Sequence, residues 1–352
     1  MLVALAFSFF AALYAQLFGP QEATLVFAGD AMMHQGQIDA ARRADGTYDY
    51  SGYFAAIQPL VSGADYAVVN LETPLGGRPY AGYPCFCAPD SYAQELADTG
   101  FDLFLTANNH TLDRHARGLR RTVDVLRGMG VDQVGTYRNE EQRDSVLPLL
   151  RDIRGFKVGF LNYTYGTNGI EPRDGVVVDY INKDRIHRDV AATREAGAEI
   201  VCVAIHWGDE YKLLPNASQR AMADFLVSQG VDLVIGGHPH VIQPMEMRQR
   251  SDGRNALVVY SLGNLISNMK TRDTRGGALV KVWLGRDSVG AAQVDSAAYR
   301  LVFTEAPAQG IRNYRLVDVD SCQSSWRSHC SSFANAARAI FHSHNHGVKE
   351  LK

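Results

Sequence analysis

The chain alternates two kinds of segment. Short apolar runs rich in β-branched residues are followed by stretches whose apolar residues recur at helical spacing. ATLVFAGD (23–30), ADYAVVNLE (64–72), FDLFLTANNH (101–110), KVGFLNYTY (157–165), EIVCVAIHWGDE (199–210) and VDLVIGGHPHV (231–241) read as strands. SYAQELADTG (91–100), ARGLRRTVDVLRGMG (116–130), KDRIHRDVAATREAGA (183–198) and ASQRAMADFLVSQG (217–230) read as helices, the first two closed by Gly100 and Gly130. Continuous apolar strands alternating with helices predict an α/β core covered on both faces. Later the pattern changes. MEMRQR (245–250), NALVVYSLGN (255–264), GGALVKVWLG (276–285) and AAYRLVFTEA (297–306) predict consecutive strands in a more antiparallel sheet. The tail from Ser321 is polar, with a short helix expected over 331–341.

Composition narrows the class. The chain has 352 residues, 46% hydrophobic and 21% charged, enough apolar mass for one large domain. Its formal net charge is -3 and no basic block stands out, so nucleic acid is not an expected partner. The opening run MLVALAFSFFAALYAQLFGP is apolar and ends in small residues around Ala12 and Ala15. It reads as an export signal cleaved near Gln16 or as a retained anchor, although the usual basic n-region is missing. The expected divisions are this leader over 1–20, a main domain over 21–310 and an extension over 311–352. An exported chain permits a Cys322–Cys330 disulfide. Cys202 lies in an apolar run and reads as core, while Cys85 and Cys87 form a C-x-C spacing awkward for a mutual bridge.

One regularity bears on chemistry. The predicted strands end, on their C-terminal side, in Gly29-Asp30, Asn70-Leu71-Glu72, Asn108-Asn109-His110, His206-Trp207-Gly208 and Gly236-Gly237-His238-Pro239-His240. Ligands of open α/β sheets bind outside the carboxyl ends of strands. Each piece alone has an ordinary explanation: a turn, a helix start, a capped loop or a satisfied core histidine. Together they bring carboxylates, an amide and histidines to one edge. Imidazole and carboxylate donors without thiolate suit two divalent ions such as Mn, Zn or Fe. Glu72 is the candidate bridging carboxylate, and a spare imidazole could protonate a leaving group.

At these residues the sequence resembles the CapA/PgsA family of capsule and poly-gamma-glutamate biosynthesis, a branch of the calcineurin-like metallophosphoesterases. FAGDAMM (27–33), VVNLETPL (68–75), FLTANNHTLDRHARGL (104–119), IHWGDEY (205–211), GGHPHVIQP (236–244) and VVYSLGNLI (258–266) carry the resemblance. GYPCFCAPD (82–90) is similar to the family's substrate-side loop. The resemblance implies a four-layer βαβα sandwich of the metallo-dependent phosphatase type with a dinuclear centre at one edge. It implies Asp30, Glu72, Asn109, His206, His238 and His240 as ligands, His110 as general acid and Asp113 as the group that orients it. Asn108, Glu210 and Arg114 stand beside this set, Glu210 as a group that could orient water or a ligand and Arg114 as a possible anion contact, although a solvent-facing helix residue is the more expected reading of Arg114. The superfamily histidine two residues after Asp30 is here Met32, with His34 a candidate replacement. Cys87 stands where an arginine is common.

The implied activity is hydrolysis of a phosphoester or of an anionic surface polymer outside the cytoplasm. An alternative is an accessory subunit that binds the polyanion beside membrane-bound synthase or export partners. A third reading, a nucleotidase-like phosphatase, needs a base-stacking pocket, for which Tyr163, Tyr165 and Trp207 are the candidates. The histidines of the tail, His342, His344 and His346, are expected to be solvated.

Overall fold

The structure, a computed structural model, describes residues 22–351, so the expected leader lies outside the described residues. In chain order the strands are β1 (Ala23–Ala31), β2 (Tyr66–Leu71), β3 (Leu103–Leu105), β4 (Asp132–Val134), β5 (Thr136–Tyr137), β6 (Leu149–Ile153), β7 (Phe156–Thr164), β8 (Val177–Val178), β9 (Ile200–His206), β10 (Leu233–Gly237), β11 (Ile242–Gln249), β12 (Asn255–Leu262), β13 (Asn264–Ile266), β14 (Gly276–Arg286), β15 (Ala292–Glu305), β16 (Arg315–Asp318) and β17 (Val348–Glu350). The helices are α1 (Gln35–Ala41), α2 (Gln58–Val61), α3 (Asp90–Thr99), α4 (His115–Met129), α5 (Glu140–Val146), α6 (Lys183–Glu195), α7 (Ala217–Ser228) and α8 (Arg327–His344).

Two sheets form the body. The first runs β16-β15-β14-β1-β2-β3-β4, with β13 beside β1 and β17 beside β15; the second runs β11-β12-β10-β9-β7-β6. Side-chain alternation explains why they stack. Leu25, Phe27, Val68 and Leu103 of the first sheet share one core with Val158, Phe160, Cys202, Leu233 and Val259 of the second. The opposite parity of the first sheet (Val26, Ala28, Val69) meets Ile38, Tyr92 and Leu96 of the helices. Val201, Val203 and Val234 of the second sheet meet Ile186, Val190 and Leu226 of α6 and α7. Each aliphatic side chain so buried contributes about 1.5–3 kcal/mol. The layers are helix, sheet, sheet, helix, and βαβα describes the order along the chain.

A bulge in β1 decides which way Asp30 points. Ala28 pairs with Val69, yet Asp30 pairs with Asn70, so Gly29 is an extra residue in the ladder. Without it Asp30 would share the outward parity of Val26 and Ala28. With it Asp30 takes the inward parity of Leu25 and Phe27, between the two sheets. A glycine is required there: a Cβ on Gly29 would lie 2.0 Å from the Gly263 carbonyl oxygen.

The later strands differ from the single antiparallel sheet expected. β11 and β12 complete the second sheet, with β12 parallel to β10, whereas β14 and β15 complete the first. The chain crosses between sheets through β13, which pairs with β1 at Asp30. The strand expected over 101–110 is only Leu103–Leu105. Side-chain amides draw the backbone out of the ladder after it: Ala107 N–H donates to Asn162 Oδ1 (2.7 Å) and His110 N–H to Asn108 Oδ1 (3.1 Å). The short C-terminal helix is the longer α8, whose Cys330, Phe333, Ala334, Ala337 and Phe341 cover the inter-sheet core. The tail then binds both sheets. His346 exchanges backbone hydrogen bonds with Met245 and Met247 of β11, and β17 pairs in parallel with β15. Cys322 and Cys330 form a disulfide, Cys202 is buried and free, and His342, His344 and His346 are exposed.

Candidate metal centre

Inward parity delivers the site. Along β2, Tyr66 and Val68 face the inter-sheet core, and the same face continues to Asn70 and Glu72. Along β9, Cys202 and Ala204 lead to His206; along β10, Leu233 and Ile235 lead to Gly237. The inner faces therefore meet, at their C-terminal ends, over Asp30, Glu72 and His206. All three are buried. Gly237 must be small, because a Cβ there would lie 2.7 Å from Asp30 Oδ1. His238 and His240 follow in left-handed backbone (φ 96° and 58°), a conformation costing about 1–3 kcal/mol per residue that clusters at functional sites.

Asp30 is held from several sides. Asn70 Nδ2 donates to its Oδ1 (2.8 Å), His238 N–H donates to its Oδ2 (3.1 Å), and His240 Nδ1 lies 3.5 Å from Oδ2. Burial alone would raise its carboxyl, but His240, the His206 charge and Asn70 hold it down at about 2. Glu72 has the opposite environment. It is fully buried, and neither carboxylate oxygen has a hydrogen-bond partner. Burial, then the Asp30 charge, pushes it up to about 8. Its Oε1 lies 3.6 Å from His206 Nε2 and 3.8 Å from His240 Nε2. His238 Nδ1 is likewise buried and unpartnered. Burial holds His206 and His238 down at about 3. For His240 burial is outweighed by Glu72 and Asp30, which push it up to about 9.

The donors fit divalent cations. Two overlapping sets, Asp30–Glu72–His206 and Glu72–His238–His240, each bring one donor atom per residue within 4.8 Å of one another. Glu72 belongs to both, and its orphaned oxygens are what a bridging carboxylate would present. Asn109 Oδ1, 2.9 Å from His206 Nε2, adds a neutral donor at the first set.

The flanking residues divide. His110 Nδ1 lies 2.7 Å from Asp113 Oδ2, which also accepts the Phe86 N–H at 2.7 Å. Asn108 Nδ2 ties the site together by donating to Asn70 Oδ1 and the Leu71 carbonyl. Glu210 is exposed at the mouth, where its charge acts on Glu72, His206, His238 and His240. Arg114 is half-buried rather than solvent-facing. Its stem packs on Gly76 and Gly118, and its Nε is buried without a partner. His34 joins neither donor set, since its Nδ1 accepts the Asn268 N–H (3.3 Å). Tyr163 and Trp207 lie in the core behind the second sheet, and only Tyr165 of the proposed stacking trio is exposed. The sequence reading missed Asn264, whose Oδ1 lies 3.0 Å from His240 Nδ1, although the Leu-Gly-Asn strand end that carries it repeats the pattern seen elsewhere.

Comparison with known proteins gives a family and a fold. Residues 24–269 match the family described as bacterial capsule synthesis protein PGA_cap. The chain is 26% identical over 275 residues to the capsule biosynthesis protein CapA of Bacillus anthracis, covering 75% of this chain and 64% of that protein. It is 26% identical over 286 residues to the PGA biosynthesis protein CapA of Bacillus subtilis, covering 76% and 69%. A Mycobacterium tuberculosis protein named "Probable polyglutamine synthesis accessory protein" is 28% identical over 224 residues, covering 58% and 56%. The chain thus spans 64% of the Bacillus anthracis relative and 69% of the Bacillus subtilis one. In fold it is similar to the NAD nucleotidase of Haemophilus influenzae, with a TM-score of 0.51 at 10% identity, covering 94% of this chain and 64% of that one.

Proposed function

Because the chain belongs to the bacterial capsule synthesis protein PGA_cap family, we propose that it is a metal-dependent hydrolase of capsule or polyglutamate biosynthesis that cleaves a phosphoester. The observation that carries the proposal is Glu72, buried with both carboxylate oxygens unpartnered beside Asp30. An uncompensated buried carboxylate costs several kcal/mol, and bound cations remove that cost. Asp30, Glu72, His206 and Asn109 would hold one divalent ion; Glu72, His238 and His240 would hold the second. Once bound, such ions polarise a phosphoryl oxygen and lower the pKa of water.

The chain's own part is positioning and proton transfer. Hydrolysis adds a water oxygen to phosphorus, breaks the bond to the leaving oxygen and requires a proton there. Asp113 accepts from His110 Nδ1, so a His110 that has taken up a second proton carries it on Nε2, from where it can pass to the leaving oxygen. The buried ligands and the inter-sheet core below them keep bulk water on one side only.

An exported location is part of this proposal, and the Cys322–Cys330 disulfide supports it. Among the described residues no helix is long and apolar enough to cross a membrane. The second reading is a subunit that binds an anionic polymer beside membrane-bound synthase or export partners without turnover. The name of the Mycobacterium relative, an accessory protein, favours it.

The test is metal content and hydrolysis of a phosphomonoester and a phosphodiester, for the wild type and for His238→Ala/His240→Ala. Close to two transition-metal ions per chain, lost together with hydrolysis in the variant, supports the enzyme. Metal without turnover supports the binding subunit. No metal after reconstitution with Mn or Zn overturns both the ligand set and the enzyme.

A further inference from the structure

Three tyrosines stand at the mouth of the donor cluster. Tyr83, Tyr165 and Tyr211 are 75%, 49% and 53% exposed, and they make up most of the large apolar side chains left exposed among the described residues. Scattered exposure of single apolar residues needs no explanation, but concentration around one site does.

Two of the tyrosines are seated against histidines of the site, and the third reaches His110 only through Phe86. The Tyr165 ring lies 4.6 Å from His238, and its N–H donates to the His206 carbonyl (3.0 Å). The Tyr211 ring lies 6.2 Å from His240. Its backbone is left-handed (φ 64°), and its N–H donates to the Pro239 carbonyl (2.8 Å). Tyr83 lies 6.2 Å from Phe86, whose ring is 4.5 Å from His110. An aromatic residue held in left-handed backbone is uncommon and marks a constrained position. The three rings come from three separate loops, so their convergence is a property of the fold.

Glu210 presents an exposed carboxylate at this rim, and its charge acts on both Tyr211 and Tyr165. A carboxylate repels a polyanion and only accepts hydrogen bonds, so it calls for a hydroxyl donor on the ligand. Tyrosine supplies an apolar face together with a polar tip. A hydroxylated ring combines the two needs: its C–H face lies on the tyrosines and its hydroxyls reach Glu210. Resting on the phosphoester reading of the same site, we propose that Tyr83, Tyr165, Tyr211 and Glu210 form a subsite for the sugar ring of a glycosyl phosphate ester, whose phosphoryl group occupies the donor cluster.

The experiment uses Mn-loaded protein with α-glucose 1-phosphate, glycerol 3-phosphate and adenosine 5′-monophosphate. The wild type is expected to favour the glucose ester over the glycerol ester in kcat/KM by about tenfold or more. Tyr165→Ala and Tyr83→Ala should collapse that ratio, while Tyr165→Phe should keep it. A flat ratio, preference for the adenosine ester, or a preference that survives both alanines overturns the subsite. Saturation-transfer NMR of the same three compounds reads contact without turnover. Saturation of the glucose ring protons, lost in Tyr165→Ala, upholds the subsite even if no ester is hydrolysed, in which case the phosphoester reading alone falls. Absence of ring saturation in the wild type overturns the subsite.

Discussion

Asn264 fixes which nitrogen of His240 faces Glu72. Its Oδ1 lies 3.0 Å from His240 Nδ1, while its Nδ2 donates to the Thr274 carbonyl (2.9 Å) and the Ser267 hydroxyl (3.2 Å). The amide is thereby oriented, the hydrogen of neutral His240 sits on Nδ1, and Nε2 is left for a metal. Partners of this kind raise metal affinity by about 10–100-fold. Asn264→Ala is therefore expected to weaken Mn or Zn binding by about that factor with the fold retained, as read by equilibrium dialysis and far-ultraviolet circular dichroism. Unchanged affinity would show that Asp30 alone orients the imidazole.

Metal binding should release protons at neutral pH. Without metal, Glu72 is pushed up to about 8 and His240 to about 9, the latter through the Glu72 and Asp30 charges, so the pair holds at least one proton at pH 7 that ligation must displace. Affinity should rise with pH between about 6 and 9. Titration calorimetry in two buffers of different ionisation enthalpy measures the released protons directly. Zero release at pH 7 would contradict the arrangement.

Glu72 also shapes the stability of the metal-free protein. Its folded value is raised from 4.5 to about 8. Such a group stabilises the fold fully below the unfolded value, and that stabilisation is lost as pH rises through the folded value. Glu72→Gln removes the titrating carboxyl. The metal-free variant should melt higher than metal-free wild type at pH 9, with the difference shrinking toward pH 5. With metal present the order should reverse, because the bridging carboxylate is gone. Thermal melts across pH, with and without metal, test both signs.

His110→Ala should lower hydrolysis by about 10²–10⁴-fold and leave metal content unchanged. Asp113→Asn should act in the same direction, and by more than the loss of one neutral hydrogen bond, because Asp113 Oδ2 also receives the Phe86 N–H. Loss of metal in His110→Ala would instead make His110 a ligand.

Much of the centre was legible because strand ends carry it. Asp30, Glu72, His206, His238 and His240 follow apolar runs; inward alternation alone places Glu72 and His206, while Asp30 needs the β1 bulge and His238 and His240 the left-handed turn after β10. Three things were not legible. The β1 bulge depends on Gly29 meeting the Gly263 carbonyl, a contact more than two hundred residues away in the chain. The division of the later strands between two sheets depends on partners, since β12 and β14 have the same apolar pattern. The tyrosine rim depends on loops, whose composition says little about where a ring points; of the aromatics picked out near strand ends, Tyr163 and Trp207 went to the core and Tyr165 to the mouth.

The way α8 and the tail close the inter-sheet core has a consequence for how the chain is made. Cys330, Phe333 and Phe341 are part of the core that Leu25 and Phe27 begin, so that core is completed from both ends of the sequence. A nascent chain that has left the ribosome only as far as β16 can pair both sheets, yet it leaves their shared interior open along one flank. Translation thus reaches the sealing element after every ligand of the centre is already outside the tunnel. The docking of α8 both seals this core and sets Cys330 beside Cys322, so in an exported chain core closure and oxidation come together on the side of the membrane where thiols are oxidised.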